Sequence, residues 1–99
     1  ADIVLPASAF PEKTGTFTNT DRRVQLARKA VEPPGDARQD WWIIQELAKR
    51  FDLGWKYNGP DEIYDELRNC MDSIKNISWE RLVKEGAVKD EDLSCRKPY

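Results

Sequence analysis

A chain of 99 residues with 39% apolar and 34% charged side chains and a mean hydropathy of −0.76 has room for one small domain. It falls below the roughly 45–50% apolar content of ordinary globular domains, which excludes a multidomain enzyme within these residues and predicts a core that is thin or borrowed. Sixteen basic against eighteen acidic residues leave a net charge of −2, too little to attract nucleic acid or an anionic membrane through a global field.

Ile3-Val4-Leu5, apolar and mostly β-branched, reads as a short buried strand of an α/β sheet stopped by Pro6. Ala1-Asp2-Ile3 is no basic opening of a signal peptide, and no run approaches the roughly 18 apolar residues of a membrane helix. From Ala7 to Asn19 the chain is small, polar and turn-prone, with Gly15-Thr16-Phe17 as an extended tract, and Arg22 to Ala27, whose imperfect alternation fits a strand or a first helical turn, is taken as a second strand. Glu32-Pro33-Pro34-Gly35 is a rigid connector, because proline removes a donor and bars the preceding residue from the helical region.

Asp40 is the expected N-cap of a helix reaching about Asp52, with Trp41, Ile44, Leu47, Ala48 and Phe51 as its apolar face. Asn58-Gly59-Pro60-Asp61-Glu62 starts a second helix with proline in the first turn, and Ile63, Tyr64, Leu67 and Met71 form its stripe. Ser78 caps a third helix, Trp79 to Glu85, which Gly86 ends. The blocks are therefore 1–31, strand and loop; 32–39, connector; 40–86, helical; and 87–99, an irregular tail. The fold class is mixed α/β.

Two cysteines match no metal spacing and form no disulfide framework, and Cys70 reads as a core-facing helix residue. The absence of histidine removes the usual general base and the commonest metal ligand, so no catalytic and no metal-ligating residue is assigned. Asn76-Ile77-Ser78 matches the glycosylation sequon, a short pattern that arises by chance, and lone cysteines suit a reducing compartment. Adjacent Trp41 and Trp42 cannot share one narrow face, so one of them packs on a different element or on another protein.

The chemically informative stretch runs from Glu12 to Gln25. A glycine permits close backbone approach, hydroxyls and an amide offer short donors and acceptors, and Arg22-Arg23 supplies two guanidinium forks. This suits a polar, phosphorylated ligand, although an ordinary threonine-rich hairpin has the same composition. It is neither a Walker loop nor a Gly-x-Gly-x-x-Gly fingerprint.

Ala1-Asp2-Ile3-Val4-Leu5-Pro6, then Glu12-Lys13-x-Gly15-Thr16-Phe17-Thr18-Asn19-Thr20-Asp21-Arg22-Arg23-Val24-Gln25, closely resembles a segment of the large subunit of molybdopterin-dependent formate dehydrogenases. The resemblance continues through Lys29 to Gly35, Asp40 to Arg50 and Pro60 to Arg68, and covers about residues 1–85. Nitrate reductases and the large subunit of respiratory NADH dehydrogenase carry similar versions. Asp21 stands where glutamate is commoner, and beyond Gly86 the family's Trp-Pro-Cys stretch is replaced by Val88 to Cys95.

The resemblance implies an internal piece of a larger α/β molybdopterin oxidoreductase fold, whose metal, molybdenum or tungsten, is held between two molybdopterin guanine dinucleotides. The family's metal-ligating cysteine or selenocysteine, its neighbouring histidine and its iron–sulfur cysteines lie elsewhere in the subunit. By analogy Glu12, Gly15, Thr16, Asn19, Arg22 and Arg23 are candidates for pterin or phosphate contact, or for shaping the cofactor cleft. The implied activity is formate oxidation to carbon dioxide, with two electrons passing to iron–sulfur clusters. The implied partners are the remainder of the large subunit and an iron–sulfur electron-transfer subunit, with no nucleic acid and no membrane insertion. The implied location is cytoplasmic, with the periplasm as the alternative, and no cofactor is expected on the isolated 99-residue chain. The competing reading is a non-enzymatic helical module that packs on a partner through Trp41, Trp42 and Trp55. A nucleic-acid binder using Arg22, Arg23, Arg28 and Lys29 fails on net charge and on the lack of a recognised motif.

Overall fold

The computed structural model describes residues 1–90. Three strands and three helices make a mixed α/β arrangement: β1 (Gly15–Thr18), β2 (Arg23–Ala27), α1 (Asp40–Arg50), α2 (Pro60–Cys70), α3 (Trp79–Glu85) and β3 (Ala87–Lys89). They divide into two interleaved units, one of Ala1–Gly15 with Ala27–Pro60, the other of Thr16–Leu26 with the chain from Asp61.

The second unit contains a hydrophobic core. The sheet order is β1-β2-β3, and β2 pairs antiparallel with β3 so that Val24 faces Val88. Both valines are buried, in keeping with the in-and-out alternation of a strand with one covered face. Tyr64 from α2, Ile74 and Ile77 from the following turn, and Leu82 from α3 close over them, with Trp79 and Leu26 packed at the margin. The Tyr64 and Trp79 rings lie 6.0 Å apart at an interplanar angle of 59°, a favourable tilted pair. The Tyr64 hydroxyl donates to the Ile77 carbonyl at 2.8 Å.

Local signals account for the ends of these elements. Pro60 opens α2. The Ser78 hydroxyl accepts from the Arg81 amide at 3.1 Å and caps α3. Gly86 follows with φ +81°, which turns the chain directly into β3.

The first unit is built differently. Its buried residues are small or polar: Ser8, Ala37, Gln45, Ala48 and Gly59. Gln45 of α1 reaches a neighbouring loop, accepting from the Tyr57 amide at 2.7 Å and donating to the Tyr57 carbonyl at 3.1 Å. An isolated parallel bridge joins Ala7 to Arg38, with Ser8 N donating to Arg38 O at 2.9 Å and Arg38 N to Pro6 O at 3.1 Å.

Several expectations are corrected. Ile3-Val4-Leu5 is not a strand here but an exposed extended lead-in (78%, 76% and 58% exposed), because no neighbouring strand among the described residues pairs with it. The N-cap of α1 is Gln39, whose side chain accepts from Trp41 Nε1 at 2.8 Å, while Asp40 is the first helical residue and pairs with Lys13 at 2.6 Å. The apolar face assigned to α1 is mostly open, since only Ala48 of that set is buried while Ile44, Leu47 and Phe51 are exposed. Cys70 is exposed at the end of α2, and Leu67 and Met71 are exposed as well. The tail expected from residue 87 is a strand over 87–89, because Val88 has a buried partner in Val24. Cys95 and the rest of that tail lie outside the described residues. The blocks 1–31 and 40–86 are also crossed by the two units, because β2 and β3 pair across the intervening sequence.

Candidate functional site

Four of the six candidates lie on the β1–β2 hairpin of the second unit: Thr16, Asn19, Arg22 and Arg23. Asn19 organises the turn. Its backbone amide donates to Arg23 O at 3.2 Å, its carbonyl accepts from Arg22 N at 3.0 Å, and its side-chain oxygen accepts from Arg23 N at 3.0 Å. Thr20, Asp21 and Arg22 form a three-residue hairpin loop whose last residue is left-handed, with Arg22 at φ +59°. Glycine normally occupies such a position, and a side chain there costs on the order of 1–2 kcal/mol.

The arginines are flanked by carboxylates. Arg22 Nε lies 3.7 Å from Asp90 Oδ1, an atom that is buried and makes no hydrogen bond among the described residues. The Arg22 carbonyl accepts from the Asp90 amide at 2.8 Å, so this ion pair joins the turn to the end of β3. Arg23 directs its Nε to Asp21 Oδ2 at 3.1 Å. It also stands opposite Lys89 in the ladder, a like-charge pairing that Asp21 offsets. Asp90 was not among the residues singled out from the sequence, because its place beside Arg22 depends on a strand pairing that joins Arg23 to Lys89, 66 positions apart, and no local pattern encodes that contact.

Glu12 and Gly15 belong to the first unit. Glu12 closes a single turn over Phe10–Glu12, its carboxylate accepting from Ala9 N at 2.8 Å and its amide donating to Ala9 O at 3.0 Å. Gly15 opens β1, and a Cβ built there meets nothing within 4 Å, so neither close backbone approach nor a special dihedral requires glycine within these residues. In the same stretch the Thr14 hydroxyl accepts from Lys29 N, and the Pro11 carbonyl accepts from Ala30 N and Val31 N.

The donor set of the hairpin fits an anionic group in kind: two guanidinium groups, a hydroxyl and an amide on one short turn. Its charge is already partly answered by Asp21 and Asp90, so an incoming phosphate must compete with them. Glu12 and Asn19 have internal hydrogen-bonding work that explains them without a ligand. Among the described residues no three His, Cys, Asp or Glu side chains gather as a metal-holding group.

The sequence model of the molybdopterin oxidoreductase family matches residues 1–50. The chain belongs to that family. Within it, the sequence is 50% identical over 88 residues to the F420-dependent formate dehydrogenase subunit alpha of Methanocaldococcus jannaschii, a match spanning 87% of this chain and 13% of the relative. It is 48% identical over 88 residues to the F420-dependent formate dehydrogenase 2 subunit alpha of Methanococcus maripaludis, with the same shares covered. The matched region is therefore about an eighth of the length of these two relatives.

Proposed function

We propose that these residues are part of the large subunit of a formate dehydrogenase-like oxidoreductase, in which the β1–β2 hairpin supplies contacts to a bis-molybdopterin guanine dinucleotide carrying molybdenum or tungsten. The observation behind the residue-level reading is Arg22, an arginine kept in a left-handed position that glycine would fill without strain. The chemistry that group supplies when bound is two-electron acceptance from formate as carbon dioxide is released.

On this reading Arg22 and Arg23 hold the phosphate, Thr16 adds a short donor, and Asn19 fixes the turn on which both guanidinium groups stand. Glu12 and Gly15 shape the loop leading into β1. Asp90 and Asp21 orient the two guanidinium groups and keep them from repelling each other while the phosphate is absent. The partners are the remainder of the large subunit and an iron–sulfur electron-transfer subunit, and the compartment is the cytoplasm. No helix among the described residues is long and apolar enough to cross a membrane.

The test is the metal and pterin content of the full-length enzyme carrying Arg22→Ala, Arg23→Ala or Arg38→Ala. A charged contact to an anion is worth about 1.5–3 kcal/mol, so the first two variants lose cofactor occupancy under limiting cofactor while Arg38→Ala retains it. Equal content in all three contradicts the assignment.

A further inference from the structure

The single Asn-Gly pair of the chain, Asn58-Gly59, plays no part in the proposed function. Asparagine before glycine is the sequence in which a peptide most readily turns on its own side chain, because glycine has no Cβ to bar the approach and its backbone is the freest of any residue. The glycine amide nitrogen attacks the asparagine side-chain carbonyl carbon, and the side-chain nitrogen leaves as ammonia. Water then opens the resulting five-membered succinimide at either carbonyl, giving aspartate or isoaspartate. Water is consumed, ammonia is released, and nothing is oxidised or reduced.

The first unit holds this pair from both ends. On one side Tyr57 is gripped by a single side chain of α1: Gln45 Oε1 accepts from the Tyr57 amide at 2.7 Å, and Gln45 Nε2 donates to the Tyr57 carbonyl at 3.1 Å. Gln45 is buried, so water competes poorly for these bonds. On the other side stands Pro60, the first residue of α2, whose ring fixes its own φ and confines the residue before it. Asn58 itself is exposed, whereas Gly59 is buried. Ring closure needs a rotation of the Asn58 backbone that brings Gly59 N against Asn58 Cγ, and it needs base to remove the Gly59 amide proton. The rotation displaces either Tyr57 from Gln45 or Pro60 from the start of α2. The deprotonation needs solvent at a buried residue.

We propose that Asn58 is a latent deamidation site, kept as asparagine by the grip of Gln45 on Tyr57 and by the burial of Gly59, and converted to aspartate and isoaspartate when that grip opens. The aspartate product places a new negative charge just before a helix whose first turn already carries Asp61 and Glu62. The isoaspartate product adds a backbone carbon between Tyr57 and Pro60, so the gripped residue and the helix start no longer fit the same spacing. The inference uses neither the cofactor nor formate.

Peptide mapping by mass spectrometry of the full-length subunit, incubated at mildly alkaline pH, reads the fraction of residue 58 converted. Conversion in the folded wild type is expected to be about tenfold or more slower than in the same protein unfolded in urea. Gln45→Ala, which leaves the Tyr57 amide and carbonyl without that partner, is expected to recover much of the unfolded rate. Exchange of the Gly59 amide hydrogen, which needs base at the same nitrogen, speeds up with it. Lys49→Ala, which breaks an exposed ion pair with Glu46 on the same helix, keeps the slow rate. The Leu26 amide, which donates to Gly86 O at 3.0 Å, stays protected in every folded variant and reports that the second unit is intact. Equal conversion in folded and unfolded wild type overturns the proposal, and that comparison needs no substitution. A folded Gln45→Ala subunit that converts residue 58 no faster than the wild type also overturns it. Conversion accelerated equally by Lys49→Ala does the same, since it traces the protection to α1 as a whole and not to the grip on Tyr57.

Discussion

Replacing Tyr64 with phenylalanine removes one oxygen from the core of the second unit and isolates what that atom does. The ring, its tilted contact with Trp79 and its burial all persist. The hydrogen bond to Ile77 O, 2.8 Å long and buried, is lost. A buried carbonyl deprived of its donor costs about 1–3 kcal/mol, so urea unfolding followed by tryptophan fluorescence should show destabilisation of that size near pH 7. A second effect follows from titration. Burial raises the Tyr64 phenol above its ordinary value, with the Arg68 guanidinium pulling the other way. The folded state thus holds this proton more tightly than the unfolded state does, and the resulting stabilisation is complete below the unfolded value of about 10. It is lost as pH rises from there through the higher folded value. Phenylalanine has no such proton, so the stability gap between the two proteins should narrow above pH 10. Equal stability at pH 7, or two curves that stay parallel to high pH, would refute the role given to this hydroxyl.

Four further outcomes are expected. Leu82→Ala, at a position 0% exposed between β2, β3 and α2, should cost about 2–5 kcal/mol in denaturant unfolding. Ser78→Ala should cost about 1 kcal/mol and speed amide exchange in the first turn of α3, because the Arg81 amide loses its acceptor. Gln45→Ala removes both bonds to Tyr57 and should leave the core of the second unit intact while the Tyr57 amide exchanges faster. Arg22→Gly should be more stable than Arg22→Ala by about 1 kcal/mol, since glycine relieves the left-handed dihedral; both should lower cofactor content in the full-length enzyme, and normal content in either speaks against a ligand-holding side chain.

What could be read from the residues depended on how local the cause was. The starts of α2 and α3 were legible because Pro60 and Ser78 act within one turn, and the β1–β2 hairpin was legible as a threonine-rich extended tract followed by alternation. The strand β3 was not, because Ala87, Val88 and Lys89 become a strand only through pairing with residues 23–25, a contact between distant parts of the chain. The apolar stripe of α1 was legible as a stripe, but its exposure was not, since periodicity states which side chains share a face and not what lies over it. Among the site candidates, Arg22 and Arg23 stand on one turn as their spacing suggests. The side chains of Glu12 and Asn19 are tied to the backbone amides of Ala9 and Arg23, which side-chain chemistry alone does not reveal.

The most direct test of the central claim is formate-dependent reduction of a viologen dye by the purified full-length enzyme, scaled to its molybdenum or tungsten content. The account predicts dye reduction that rises in proportion to metal occupancy. An enzyme fully loaded with metal and pterin that leaves formate untouched would contradict it.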